Sequence, residues 1–284
     1  MIPASFEYVR PRGLAEAVTA LASAGEDAKV IAGGQSLLPL LRLRLAYPST
    51  LVDLGAVDEL RGIRDDGSHL AVGAMVTHHE VMASPLVREH AGLLSAATAT
   101  VADPAIRHRG TFGGALVHAD PAGDLAAVAL AVEAELVVAG PSGQRTIRAQ
   151  DFFVDYLQSA LRPDEILVEI RIPKLVGWGF HYEKFHRVAQ AWAIVGVAAL
   201  VQRSNGSIAA ARVSLTNMSS VPVRAHGVEA ALAGVPAEPG PVDTAARHAA
   251  EGTSPTSDLH ARADYREHLA RVLTRRAVLA AAGV

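Results

Sequence analysis

From Gly13 to Ala24, leucine, alanine and valine recur at helical spacing, whereas Ala28 to Ala32 and Thr50 to Leu54 are short apolar runs of the kind that form buried strands. The order predicts a β-α-β type of opening. Leu60 to Arg64 and His69 to Gly73 flank Asp65-Asp66-Gly67, whose residues accept the left-handed backbone of a tight hairpin turn. Thr77 to Val101 follows as a helical stretch with a break at Pro85. Asp120-Pro121 places a preferred N-cap before a proline at the first helical position and predicts a helix through Val132. Two strands, Glu135 to Ala139 and Gln144 to Arg148, flank a Gly140-Pro141-Ser142-Gly143 turn, and Ile166 to Ile172 alternates as a strand that Pro173 ends.

Beyond Pro173 the texture changes. Phe180 to Arg187, Ala193 to Arg203 and Ala209 to Thr216 are three strands, the last two turning at Ser204-Asn205-Gly206. Val223 to Ala233, Asp243 to Glu251 and Tyr265 to Ala282 are alanine-rich helical patterns. Strands and helices intermix, so the fold class is α+β. The change of texture, with a softer one near Gly55, divides the chain into segments 1–54, 55–175 and 176–284.

Composition narrows the chemistry. The chain has 284 residues, half of them apolar, with a formal charge of −3. Arginines are scattered rather than clustered, which argues against nucleic acid or an anionic membrane as the main partner. Trp192 to Val201 is about half the ~20 residues needed to span a bilayer, and Ala126 to Ala139 is broken by Glu133 and Glu135. The first residues, MIPASFEYVRPRG, lack the basic start and apolar core of a secretory signal, so a cytoplasmic location is expected. There is no cysteine, hence no disulfide, no thiolate nucleophile and no cysteine-ligated iron–sulfur cluster on this chain.

The candidate chemistry lies in two glycine pairs. Gly33-Gly34-Gln35-Ser36 follows a strand and precedes a helix-like segment, an arrangement that lets bare backbone and a hydroxyl approach an anion. The same residues also suit a tight turn with Ser36 as a helix N-cap. Arg107-His108-Arg109-Gly110-Thr111-Phe112-Gly113-Gly114-Ala115 repeats the recipe downstream. No GxGxxG follows a strand, and neither GxxxxGK[ST] nor HExxH occurs. No nucleophile elbow or metal-ligand set appears, so no residue is assigned a catalytic or metal-binding role.

AGGQSLLPLLRLRL, IRHRGTFGGALVHADPAGD, DFFVDYLQSALRPDEILVEIRIP and YEKFHRVAQAWAIVGVAA, in that order, resemble the FAD-binding medium subunits of molybdenum hydroxylases, the family of carbon monoxide dehydrogenase and xanthine dehydrogenase flavoprotein subunits. The resemblance implies two subdomains of the vanillyl-alcohol-oxidase (PCMH) type, 1–54 and 55–175, that clasp FAD non-covalently. It also implies a C-terminal domain, 176–284, of a three-stranded sheet and a helical bundle. The backbone of Ala32, Gly33, Gly34, Gln35, Ser36, Leu37 and Leu38, with that of Thr111, Gly113 and Gly114, would hold the pyrophosphate.

The same resemblance assigns Asp124 to the cofactor's hydroxyls, Leu167 to the flavin ring, Lys184 to the neighbourhood of the flavin and its acceptor, and Trp192 to the isoalloxazine. Each has a plainer alternative: dipole compensation at a helix start for Asp124, strand core for Leu167, surface for Lys184 and core for Trp192. The sequence departs from the family at His108 and Ala115, where asparagine is common, at Ala191, where an acid is common, and at Ala119 of His118-Ala119-Asp120-Pro121, where close relatives have glycine. A molybdopterin-binding large subunit and a small subunit with two [2Fe–2S] clusters would complete a dimer of heterotrimers. This chain would then pass electrons through FAD to NAD or a quinone. A self-contained flavin-dependent oxidoreductase and a non-catalytic binding protein are the alternatives. In the last helix Leu269, Val272 and Leu273, followed by Arg275 and Arg276, either complete the core or meet a neighbour.

Overall fold

The computed structural model describes residues 2–284. The first sheet is parallel, with strand Thr50–Asp53 between Glu7–Val9 and Ala28–Ile31. Helix Leu14–Ala24 buries Ala17, Val18 and Leu21 and stops at Gly25, whose φ of 79° a side chain would resist. The chain leaves the carboxyl end of strand Ala28–Ile31 through the first glycine pair and enters a short helix, Leu37–Arg42. Carboxyl ends of parallel strands are where ligands commonly sit in such sheets.

A five-stranded antiparallel sheet follows, in the order Ile63–Asp66, His69–Gly73, Ile166–Pro173, Glu135–Gly140 and Gly143–Arg148. Both hairpins expected from the sequence are present, and strand Ile166–Pro173 carries a bulge between Leu167 and Glu169. The stretch after Thr77 breaks at Pro85, as expected, and again at Ala91, giving helices His78–Ala83, Pro85–His90 and Gly92–Ala99. Thr77 and Glu80 form a reciprocal capping box at its start.

The helix expected from Pro121 begins instead at Asp124 and ends at Ala131. Asp120 does not cap it. Its carboxylate accepts the Ala122 N–H at 2.9 Å and its carbonyl accepts the Gly123 N–H at 2.9 Å, closing a separate turn. The Pro121 carbonyl is in turn held at 2.8 Å by the N–H of Asn217, just past the end of the distant strand Ser207–Thr216, a contact that outweighs the local capping signal. Every residue of helix Asp124–Ala131 is buried, because the strands of the sheet that follows and helices Gly92–Ala99 and Phe112–His118 pack around it.

That last sheet is antiparallel, with long strands Trp178–Phe185, Val195–Ser204 and Ser207–Thr216. Asn205 and Gly206, at φ of 50° and 82°, make the expected tight turn. A two-residue strand, Val223–Arg224, adds to the edge where the sequence predicts the start of a helix; the helix begins at His226. The reason is tertiary: Arg224 reaches Glu229 at 2.6 and 2.9 Å and so pins this stretch beside Ser214 and Leu215. Helix Ala263–Ala282 lies across the sheet and packs Leu269, Leu273, Ala277 and Val278 against it.

Candidate functional site at two glycine-rich loops

The two glycine pairs, distant in sequence, meet in space. A Cβ placed on Gly33 would lie 2.2 Å from the Arg109 carbonyl oxygen and 2.7 Å from the Gly110 Cα, so the loops touch backbone to backbone. Only glycine fits that approach. Gly34 has φ of 75°, the left-handed region, and its position lets the Leu38 N–H return to the Gly34 carbonyl at 2.9 Å. The amides of Gly33, Gly34, Gln35 and Ser36 find no protein acceptor among the described residues, and the Ser36 hydroxyl makes no cap bond although it stands at the N-cap position. The Gln35 side-chain amide donates to the Gly33 carbonyl at 3.1 Å. Ala32, Leu37 and the half-exposed Leu38 flank them.

The second loop is built differently. Gly113 donates to the Ala74 carbonyl at 3.0 Å, Phe112 to Val76 at 2.9 Å, and His78 to Gly110 at 2.9 Å, so this segment docks like a strand on residues 74–78. A Cβ on Gly113 would sit 2.6 Å from the Ala74 carbonyl oxygen. Thr111 caps helix Phe112–His118 by accepting the Gly114 N–H at 3.1 Å. A Cβ at Gly114 would come within 2.7 Å of that Thr111 hydroxyl and 3.6 Å of the Ala32 Cβ, which places the helix start beside the first loop.

Histidine and arginine side chains surround the second loop. His78 lies buried under Gly110, its Nδ1 without a partner, and burial assisted by the charge of Arg107 pushes it down to about 4. His79 and His108 stack with ring centroids 4.0 Å apart. Arg107 holds the Val101 and Ala102 carbonyls at 2.8 and 3.2 Å, bracing Ala102 at a left-handed φ of 42°.

Asp124 and Lys184, expected separately against a cofactor, are brought together. Lys184 Nζ donates to Asp124 Oδ2 at 2.7 Å and to the Thr100 carbonyl at 3.1 Å, while the Tyr182 hydroxyl donates to Asp124 Oδ1 at 2.7 Å. Both charged side chains are 3 % exposed. Burial raises the Asp124 carboxyl from the ordinary aspartate range, with Lys184 and Tyr182 holding it back, and burial beside Asp124 pushes the Tyr182 phenol well up. The triad ties helix Asp124–Ala131 to strand Trp178–Phe185. Asp124 does stand in the first helical turn, so the dipole adds to its stabilisation. Both of its oxygens are engaged within the protein, and Lys184 is interior rather than on the surface.

Leu167 is buried in the core and registers against Val138. Trp192, in contrast, is 56 % exposed on the segment that follows strand Trp178–Phe185, so its indole is available for stacking and is no core residue.

Residues 4–175 match the model of the FAD binding domain in molybdopterin dehydrogenase, and residues 180–281 that of the CO dehydrogenase flavoprotein C-terminal domain. The chain belongs to this flavoprotein family. It is 40 % identical over 282 residues to the carbon monoxide dehydrogenase medium chain of Hydrogenophaga pseudoflava, covering 99 % of this chain and 98 % of that one. The caffeine dehydrogenase subunit beta of a Pseudomonas species is 36 % identical, with 99 % and 96 % covered. A solved carbon monoxide dehydrogenase structure from Hydrogenophaga pseudoflava superimposes with a TM-score of 0.97 at 41 % identity, over 100 % of this chain and 99 % of that one. No helix among the described residues is long and apolar enough to cross a membrane.

The family's cofactor can be tested against the loops. A diphosphate requires N–H donors without competing acceptors, and the first loop of this flavoprotein offers four such amides and a hydroxyl. The donor set fits FAD. At the second loop the Gly113 and Gly114 amides already have protein acceptors. Sequence reasoning missed Tyr182 and Thr100 around Asp124, and Ala74 and His78 under the second loop. The tyrosine of the YEKF motif was a usable signal, because alternation along a strand puts it on the same face as Lys184.

Proposed function

We propose that this chain binds one FAD non-covalently at the junction of the two glycine loops and is the flavoprotein electron-transfer subunit of a molybdenum hydroxylase most like carbon monoxide dehydrogenase. The observation that carries the reading is the row of unpartnered amides from Gly33 to Ser36, beside a Gly33–Arg109 approach that only glycine permits. FAD, when bound, supplies the redox centre that accepts electrons from iron–sulfur clusters on a partner and delivers them to an external acceptor. The protein's part is binding and positioning. The first loop receives the diphosphate, Trp192 offers a stacking face, and the Asp124–Lys184–Tyr182 triad fixes the strand from which the Trp192 segment emerges.

The absence of cysteine supports placing both [2Fe–2S] clusters on a small subunit, with the molybdenum cofactor on a large one. The reading includes a dimer of heterotrimers, NAD or a quinone as acceptor, and a cytoplasmic location. The test is to purify the chain alone and with its partner subunits, release flavin by denaturation, and follow flavin reduction by substrate without oxygen. One released FAD per chain, with reduction only in the complex, is expected. Flavin that stays with the precipitate would overturn non-covalent binding, FMN in place of FAD would overturn the cofactor assignment, and substrate-driven reduction of the lone chain would favour a self-contained oxidoreductase.

A further inference from the structure

Helix Ala263–Ala282 has two stripes. Leu269, Leu273 and Ala277 face the sheet, and on the opposite side Arg271, Val272, Arg275 and Arg276 follow at the same helical spacing. The second stripe forms one wall of an open groove of about 690 Å³, far from the glycine loops in sequence and built without them. Helix Pro239–Ala246 and its continuation supply the other wall, including Asp243 and Arg247. Four guanidiniums therefore line the groove against one carboxylate, in a chain whose formal charge is −3.

These arginines do little for the fold. Asp243 lies 3.6 Å from both Arg247 and Arg275, Arg271 is 3.4 Å from Glu267, and Arg276 is 3.9 Å from Glu183. Their side chains are 39–73 % exposed. Where the fold uses arginine, the bonds are short and two-pronged: Arg145 meets Glu165 at 2.8 and 2.7 Å, and Arg224 meets Glu229 at 2.6 and 2.9 Å. The groove arginines keep most of their donors for something else, and a guanidinium's planar fork matches carboxylates. The groove is open to solvent, and Val272 and Ala246 add apolar surface to its lining, which suits a polypeptide segment better than an enclosed small anion.

We propose that this groove docks an acidic segment of a partner subunit, an assignment that rests on the multi-subunit reading above. The experiment uses the assembled complex and the Arg271→Glu/Arg275→Glu variant, neither residue belonging to the glycine loops. Association with the partner subunits should weaken at least tenfold, the wild-type complex should loosen steeply as salt rises, and FAD per chain should stay unchanged. Arg271→Gln/Arg275→Gln should show a smaller loss in the same direction. As a check that needs no variant, phenylglyoxal should modify Arg271 and Arg275 in the free chain and spare them in the complex. Unchanged assembly, or equal labelling in both states, would overturn the proposal. Saturable micromolar binding of inorganic pyrophosphate by the free chain, with assembly unaffected by the substitutions, would overturn it in favour of a small-anion site. A wild-type chain that assembles and protects these arginines but carries no FAD would strike the cofactor reading and support the groove.

Discussion

The two glycine loops look alike in sequence and differ in what their glycines accomplish. In the second loop the glycines are packing residues: Gly113 lies against the Ala74 backbone and donates to it, and the Gly114 amide goes to the Thr111 cap. In the first loop Gly33 serves the contact between the loops, while the four amides from Gly33 to Ser36 stay unpaired. A repeated motif thus splits its labour, one copy as a seat and the other as a donor surface. Buried or half-buried amides without acceptors are costly, so a loop that retains them needs a ligand or solvent to satisfy them.

The sharpest way to break this comparison is a β-branched side chain at each contact glycine. Gly33→Val and Gly113→Val should each cost about 4 kcal/mol or more, because the new atoms meet backbone that cannot move aside. Thermal unfolding would show it, and a parent-like Tm would refute the packing role. The next effect concerns the seat of the second loop. His78 is neutral and buried there with its pKa depressed from 6.5 to about 4. Between those values the unfolded chain binds more protons than the folded one, so stability is full above about pH 6.5 and falls as pH drops toward 4, by about 3 kcal/mol in all. Denaturant titrations at several pH values should show that slope, and His78→Gln should remove it.

Gly34→Ala and Ser36→Ala address the donor surface. The alanine at φ of 75° costs roughly 1 kcal/mol of backbone strain, so the chain should still fold, yet each variant should lose about tenfold in FAD affinity, or about 1.4 kcal/mol. Equilibrium titration of the flavin-free protein measures it; affinity equal to the parent's would move the diphosphate elsewhere. The smallest effect should come from Trp192→Ala. An exposed indole contributes within about 0.5 kcal/mol to stability, so melting should hardly change while the bound flavin's absorption or fluorescence does. An unaltered flavin spectrum would remove Trp192 from the site.

Local signals were legible wherever the controlling physics is short-ranged. Asp65-Asp66-Gly67 and Ser204-Asn205-Gly206 became hairpin turns because left-handed backbone is a property of the turn residues themselves. Asp120-Pro121 carried an equally good helix-start signal and did not become one, since Asn217, just past the distant strand Ser207–Thr216, holds the Pro121 carbonyl. Val223–Arg224 likewise left a helical pattern for a sheet edge under the pull of Glu229. At the candidate site the glycines and Ser36 were readable. The fate of Asp124 and Lys184 was not, because an isolated carboxylate and an isolated ammonium carry no mark of their partner.

By itself, then, the sequence determined the α+β class, the glycine loops and the exclusion of a cysteine-held cluster from this chain, since each follows from residue type, spacing or plain absence. Only the tertiary structure decided which glycine pair keeps free donors and that Asp124 closes on Lys184 and Tyr182. Those outcomes depend on burial. A charge inside a core is tolerable only when an opposite charge and hydrogen bonds meet it there, and which groups meet is settled by how helix Asp124–Ala131 packs against the last sheet.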